Sequence, residues 1–279
     1  MGKIGVGVIT CNRYNYLKAC IDSIPLDDVD DLVVINDGDR LPDEAYNRNI
    51  DINIIDNPTN VGVGKSKNNA LRYLLDKKCD YIFLIEDDMV ILDSSIFKLY
   101  IQAHEASGIH HFNYGPGSPF NRKQTIKNFD LHNRHLLDQH SDPNPRMIID
   151  YGNNIKVSLF PHTVAMFSFF TRESLDRAGL IDEEYYNAWE HVDHTYRIIK
   201  HGLHPPFWYF ADLYNSHQFI TEAPDAINNS SIANNGEQWM KNISTGREIY
   251  KRKHGHYPNQ PPFTSKKDVV SSLKKMKSS

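Results

Sequence analysis

Four short runs of β-branched and aliphatic residues alternate with stretches of helical spacing in the first 88 positions, and each run closes on a polar turn. The runs are Lys3–Thr10, Asp31–Ile35, Ile52–Ile55 and Tyr81–Ile85. Between the first two, Tyr16, Leu17, Cys20, Ile21 and Ile24 recur at helical intervals; before the fourth, Ala70, Leu71, Leu74 and Leu75 share one face of a helix over Lys65–Lys77. This alternation predicts βαβ units and a mainly parallel sheet flanked by helices. Ligands of such open sheets sit outside the carboxyl ends of the strands. The polar groups Thr10–Asn12, Asn36–Asp39, Asn57–Asn60 and Glu86–Asp88 should therefore meet along one edge.

The 279 residues are enough for one large α/β domain, and 40% hydrophobic content supplies its core. A net charge of -4 argues against a broad nucleic-acid surface. Cys11, Cys20 and Cys79 have no metal-binding or redox spacing and read as reduced thiols of a cytoplasmic chain. No run approaches the roughly 20 apolar residues of a membrane span, and the N-terminal apolar stretch is too short for a signal peptide.

From His110 to Arg146 the chain is rich in Gly, Pro, Asn and His and reads as loop. Strand patterns resume at Met147–Tyr151, Ile155–Leu159 and Thr163–Phe170. A helix capped by Thr171 and closed by Gly179 follows, then a second over Trp189–His201 ended by Gly202. We expect one main domain over 1–218, divided into halves 1–93 and 94–218, and a C-terminal extension over 219–279. The last stretch holds five lysines, Lys266, Lys267, Lys274, Lys275 and Lys277; a solvated end is expected, with contact to a membrane surface as the alternative.

Glu86, Asp87 and Asp88 interrupt a hydrophobic run, and three adjacent buried acids need positive partners. Strand alternation would aim Glu86 and Asp88 one way and Asp87 another. Two such oxygens suit Mg²⁺ or Mn²⁺; an acidic turn capping the next helix is the other reading. Gly62 and Gly64 precede a helix bearing Lys65, Lys67, Asn68 and Asn69, without Walker spacing, and a helix start of this kind suits a diphosphate. Glu190, His191, Asp193 and His194 fall within one helical turn beside Trp189, and His217 follows a strand-like stretch.

In this order, the segments "VITCNR", "NDGD", "NVGVGKSKNNAL", "IEDDM", "IDEEYYNAWEHVDHTYRIIKHG" and "ADLYNSH" resemble the inverting GT-A glycosyltransferases of family 2, over about residues 3–217. The resemblance implies a Rossmann-like GT-A fold with a loop-rich acceptor region and a helical extension. It implies a nucleotide-sugar donor, UDP being the commonest, and Mn²⁺ or Mg²⁺ as cofactor. Thr10 and Asn12 would line the nucleotide pocket, Asp37 would contact base or ribose, and Gly62, Lys67 and Asn68 the diphosphate side. Asp88 would take the ion, with Glu86 and Asp87 beside it, and His217 would complete the site. Trp189 would offer a stacking surface or a core contact. The acceptor would be a glycan or another hydroxyl compound approached from His110–Arg146 and Phe219–His256. The basic stretch Gly246–Tyr257 leaves an anionic or nucleic-acid acceptor open, though ordinary surface charge is preferred.

Two departures stand out. Glu86 replaces the first Asp of the family's DxD motif. "EHVD" stands where EDxD is usual, leaving the base open among His191, Glu190 and Asp193, with Asp193 also suited to holding Arg197. A nucleotidyltransferase would use the same edge but needs a basic Gly-rich N-terminal loop; a carbohydrate-binding module with an acidic Ca²⁺ site would ignore UDP.

Overall fold

The computed structural model describes residues 2–47, 52–125, 127, 137–138, 140–226, 235–261 and 264–278. In chain order the elements are β1 (Ile4–Thr10), α1 (Tyr14–Ser23), β2 (Asp31–Asn36), α2 (Asp43–Tyr46), β3 (Asn53–Asp56), α3 (Val63–Asp76), β4 (Tyr81–Glu86), β5 (Met89–Ile91), α4 (Ile96–Ser107) and β6 (His111–Asn113). They continue with β7 (Met147–Asp150), β8 (Lys156–Phe160), β9 (Phe167–Thr171), α5 (Arg172–Ala178), α6 (Glu190–Lys200), β10 (Phe210–Leu213), β11 (Ile220–Glu222), α7 (Gly236–His254) and α8 (Lys266–Ser278).

The central sheet has the order β3-β2-β1-β4-β9-β6. β3, β2, β1 and β4 run parallel, as the alternating pattern predicts, and β9 joins them antiparallel. Residues of one strand alternate between two layers of core. Val6, Val8, Val34, Phe83 and Ile85 face α1 and α4, while Val33, Ile35, Ile82 and Leu84 face α3, α5 and α6. Complete burial of side chains such as Phe83 stabilises the fold by roughly 1.5–3 kcal/mol each.

Three features lie outside the sequence expectations. β6 emerges from the stretch read as loop and pairs antiparallel with β9. The apolar residues after the acid triplet form β5, which pairs with β11 of the C-terminal region. α8 is not a solvated end: it packs against α4, with Val269, Leu273 and Met276 in the main core and the lysines outward. A second sheet, β10-β8-β7, covers the α4 layer. It is pinned by buried Asp212, whose carboxylate accepts from Tyr100 Oη (2.5 Å), Ser216 Oγ (2.5 Å) and the Gly115 amide (3.0 Å). The N-cap expected at Thr171 forms, its Oγ1 accepting from the Ser174 amide at 3.2 Å. Among the described residues no helix is long and apolar enough to cross a membrane.

Candidate active site

The four polar strand ends meet. Pairing of β1 with both β2 and β4 sets Thr10 beside Asn36, and Ile9 beside Glu86. Thr10 Oγ1 donates to Asp87 Oδ2 at 2.7 Å. Asn12, in a left-handed conformation, accepts from the Asp39 amide at 2.6 Å and so locks the first turn to the second. Asp37 is buried and its carboxylate is occupied: it accepts from Asn57 Nδ2 (2.7 Å), the Val61 amide (2.8 Å) and the Gly62 amide (3.0 Å). It shapes the glycine loop from beneath. Gly62 itself has φ of 88°, and a Cβ there would meet the Tyr186 carbonyl at 2.5 Å, so only glycine fits this approach. Tyr186 closes the loop, its hydroxyl donating to Asn60 Oδ1 at 2.6 Å.

The acid triplet departs from simple alternation. β4 ends at Glu86 and Asp87–Asp88 form a turn, so the strand rule no longer applies there. Asp87 and Asp88 turn together toward Arg13, while Glu86 turns to Lys67. The Arg13 guanidinium forks onto both oxygens of Asp87, through Nη2 to Oδ1 and Nε to Oδ2. Its Nη1 donates to Asp88 Oδ2 at 3.0 Å. Burial nevertheless pushes the Asp87 carboxyl up to about 7, against the pull of Arg13. Asp88 is raised too, by burial and then by the charge of Glu86.

Lys67, reaching up from α3, is buried and links the strand end to α6. Its Nζ lies 2.9 Å from Glu86 Oε1 and 3.5 Å from Glu190 Oε1. Burial works against its charge, but Glu86 and Glu190 hold it above the ordinary lysine value. Burial would likewise raise Glu190, yet His191 and Lys67 hold it well below the usual carboxylate range. His191 Nδ1 stands 3.3 Å from Glu190 Oε1. Asp193 has other commitments: it accepts from Arg197 Nε (2.9 Å) and pairs with His254 Nε2 (2.7 Å), so it ties α6 to α7. Trp189 is half-buried, its Nε1 donating to the Ile243 carbonyl of α7 at 3.1 Å, which gives it a packing role. Ala188 and Trp189 both have positive φ, a strain of about 1–3 kcal/mol each, at the point where Glu190 enters the site. Gly246 of α7 allows this, since a Cβ there would lie 2.8 Å from the Ala188 carbonyl and the Trp189 ring.

Asn68 is spent elsewhere, bonded on both sides to the Ile181 backbone (2.7 and 2.9 Å) and to Glu183. His217 lies in a short helical turn with Arg122 and Asp142 as its nearby charges, and burial lowers its pKa. The chain that follows it reaches the triplet, where the Ala223 amide donates to the Asp88 carbonyl at 2.6 Å.

Buried polar atoms normally find a partner. Among the described residues six side-chain atoms do not, and three of them are Asp88 Oδ1, Glu190 Oε2 and His217 Nδ1. Among the described residues, no three His, Cys, Asp or Glu side chains are grouped to hold a metal ion. The unpartnered Asp88 oxygen fits the lighter demand of an ion held by one or two carboxylates and completed by substrate phosphates.

A mainly parallel sheet that gathers a glycine loop, a lysine and acids at its carboxyl edge defines an open α/β fold with its site at the strand ends. Residues 6–179 match glycosyl transferase family 2, and the chain belongs to that family; its fold is of the GT-A type. No curated protein matches the chain. Among solved structures, similarity extends to the mannosyltransferase PcManGT from Pyrobaculum calidifontis in complex with GDP-Man and Mn²⁺, at 14% identity and TM-score 0.43, covering 66% of this chain and 48% of that one. It extends also to S. aureus TarS, at 15% identity and TM-score 0.48, covering 71% of this chain and 33% of that one. TarS 1-349 in complex with UDP-GlcNAc gives 15% identity and TM-score 0.44, covering 71% and 53%. The chain thus spans about half of the first and a third of the second.

Proposed function

We propose that the protein transfers a sugar from a nucleotide sugar, with UDP as the preferred nucleotide, to a hydroxyl acceptor of glycan type, inverting the anomeric centre. The observation that carries this reading is the Glu86–Lys67–Glu190–His191 chain, which joins the strand-end acids to the first turn of α6. Asp88 Oδ1 would hold Mn²⁺ or Mg²⁺, which supplies charge neutralisation at the diphosphate leaving group. Lys67 keeps the edge from accumulating negative charge as the donor arrives.

His191 is the residue we assign as base. Glu190 is buried and its Oε1 is already engaged by Lys67 and His191, whereas His191 is partly exposed. Glu190 instead faces His191 Nδ1, orienting the ring so that its other nitrogen meets the acceptor hydroxyl. That oxygen then attacks the anomeric carbon opposite the leaving diphosphate. Asp193 positions the helix and takes no proton.

The test is a thermal-shift screen of UDP- and GDP-sugars with Mn²⁺, run on the wild type and on Asp88→Ala. A UDP-sugar should raise the Tm of the wild type and leave Asp88→Ala unchanged. Equal responses in the two proteins would remove Asp88 from the donor site, and no response in either would defeat the reading.

A further inference from the structure

Arg13 follows the first strand and faces the acids from across the edge, 74 and 75 residues away in sequence. Its grip on the two acids is unequal. Asp87 is wholly buried and receives two N–H groups; Asp88, with 10% side-chain exposure, receives one and keeps Oδ1 unpartnered. A planar fork seated this way does not leave when the outer oxygen of Asp88 is engaged. Its positive charge therefore stays within a few ångströms of any cation on that oxygen, in a half-buried setting where salt screens poorly. Glu86, the other acid at this edge, is already paired to Lys67. Arg13 and Lys67 thus offset much of the pull that the four acids exert on a cation arriving alone, and a diphosphate changes the balance by adding negative charge between the ion and Arg13.

We propose that Arg13 interlocks the two ligands: seated against Asp88, it weakens the hold on a divalent ion until a nucleoside diphosphate is present, so that ion and nucleotide favour binding together. This rests on the donor-site reading above and adds its order of assembly. The consequence is an empty site that does not carry a bare ion able to bind other phosphates. By linkage, nucleotide and ion must strengthen each other equally.

Mn²⁺ titrations followed by the paramagnetic resonance signal of the free ion test this, with the UDP–Mn²⁺ complex in solution subtracted. Wild type and Arg13→Gln are each titrated without and with UDP. In the wild type UDP should tighten Mn²⁺ binding about tenfold or more. Arg13→Gln should bind Mn²⁺ without UDP about tenfold more tightly than the wild type, and the gain on adding UDP, which still supplies phosphate ligands, should shrink by a similar factor. Arg13→Lys, which keeps the charge and loses the fork, should stay close to the wild type. UDP-dependent binding in the wild type with no gain in Arg13→Gln overturns the interlock and leaves the donor site standing. Wild-type binding that ignores UDP overturns it without any variant, so a poorly folding Arg13→Gln does not decide the matter. Absence of Mn²⁺ binding in all cases, with UDP present, defeats the ion site and the interlock together.

Discussion

Two clusters of metal-competent residues each draw a member from α6 and behave in opposite ways. One is the acid edge: Glu86, Asp87, Asp88 and Glu190 with Arg13 and Lys67. The other is a group of histidines, His111, His194 and His204, in which the rings of His194 and His204 lie 6.4 and 5.6 Å from that of His111. Three close imidazoles look more like a metal site than the acids do. Yet every one has found protein partners. His111 pairs through Nδ1 with the Phe169 carbonyl (2.8 Å) and through Nε2 with Thr195 (3.0 Å) and Asn113 (2.9 Å). His194 Nε2 pairs with the Gly179 carbonyl (2.8 Å), and His204 with the Pro205 carbonyl (2.7 Å) and the Ala211 amide (3.2 Å). Burial holds all three neutral, His111 near 4 and His194 near 3. Two of the acids, by contrast, keep an unpaired oxygen: Asp88 Oδ1 and Glu190 Oε2 are buried and lack a partner. Unspent bonding capacity, not residue type, separates the site from the core.

The largest expected break in this contrast is kinetic. His191→Ala and Glu190→Ala should keep donor binding within a few-fold and lower transfer by about 10²–10⁴-fold, measured as kcat with UDP-sugar and an accepting glycan. Full transfer by both would take α6 out of the chemistry. His111→Ala should do the reverse: donor and Mn²⁺ affinity unchanged, stability down by about 2–3 kcal/mol in urea unfolding, because Thr195 and Asn113 lose a buried partner. A loss of Mn²⁺ affinity there would make the histidines part of the site. Next comes Leu273→Asp, which should cost a similar amount by burying a charge between α8 and α4; an unchanged midpoint would show that α8 does not dock in solution.

Acidity gives the finest discrimination, since the two clusters carry opposite signs. A histidine whose folded pKa is depressed contributes stability above its unfolded value of about 6.5, lost as pH falls toward 4. Asp87, raised to about 7, contributes stability below 3.8 that is lost as pH rises through 7. Relative to the wild type, His111→Gln should therefore gain as pH drops from 6.5 to 4, by up to about 1.4 kcal/mol per unit, while Asp87→Asn should lose. Parallel pH profiles for the two variants would show that the clusters are not electrostatically distinct.

The parallel half of the sheet was legible because its rules are local. β1, β2, β3, β4 and α3 each carry their own periodicity and turn, and their carboxyl ends converge by topology alone. β5, β6 and β11 are three residues long and exist through partners far away in sequence, so no window of residues reveals them. The acids of the site were visible as an oddity in a hydrophobic run. Arg13 was not, although a signal existed: three buried acids require a cation, and the β1 turn delivering Thr10 and Asn12 ends one residue before it. The commitments of Asp37, Asn68 and Asp193 to backbone and to Arg197 depend on side-chain geometry that residue type does not encode.

The stretch matching the family stops at residue 179, eleven positions short of the helix that begins at Glu190. What seats that helix is α7, through the Trp189 indole on the Ile243 carbonyl, the contact at Gly246 and the His254–Asp193 pair. On the function proposed above, donor recognition and proton removal are entrusted to different lengths of chain. Cutting the polypeptide ahead of α7 should then spare the cradle for the nucleotide and leave the proton acceptor without its brace.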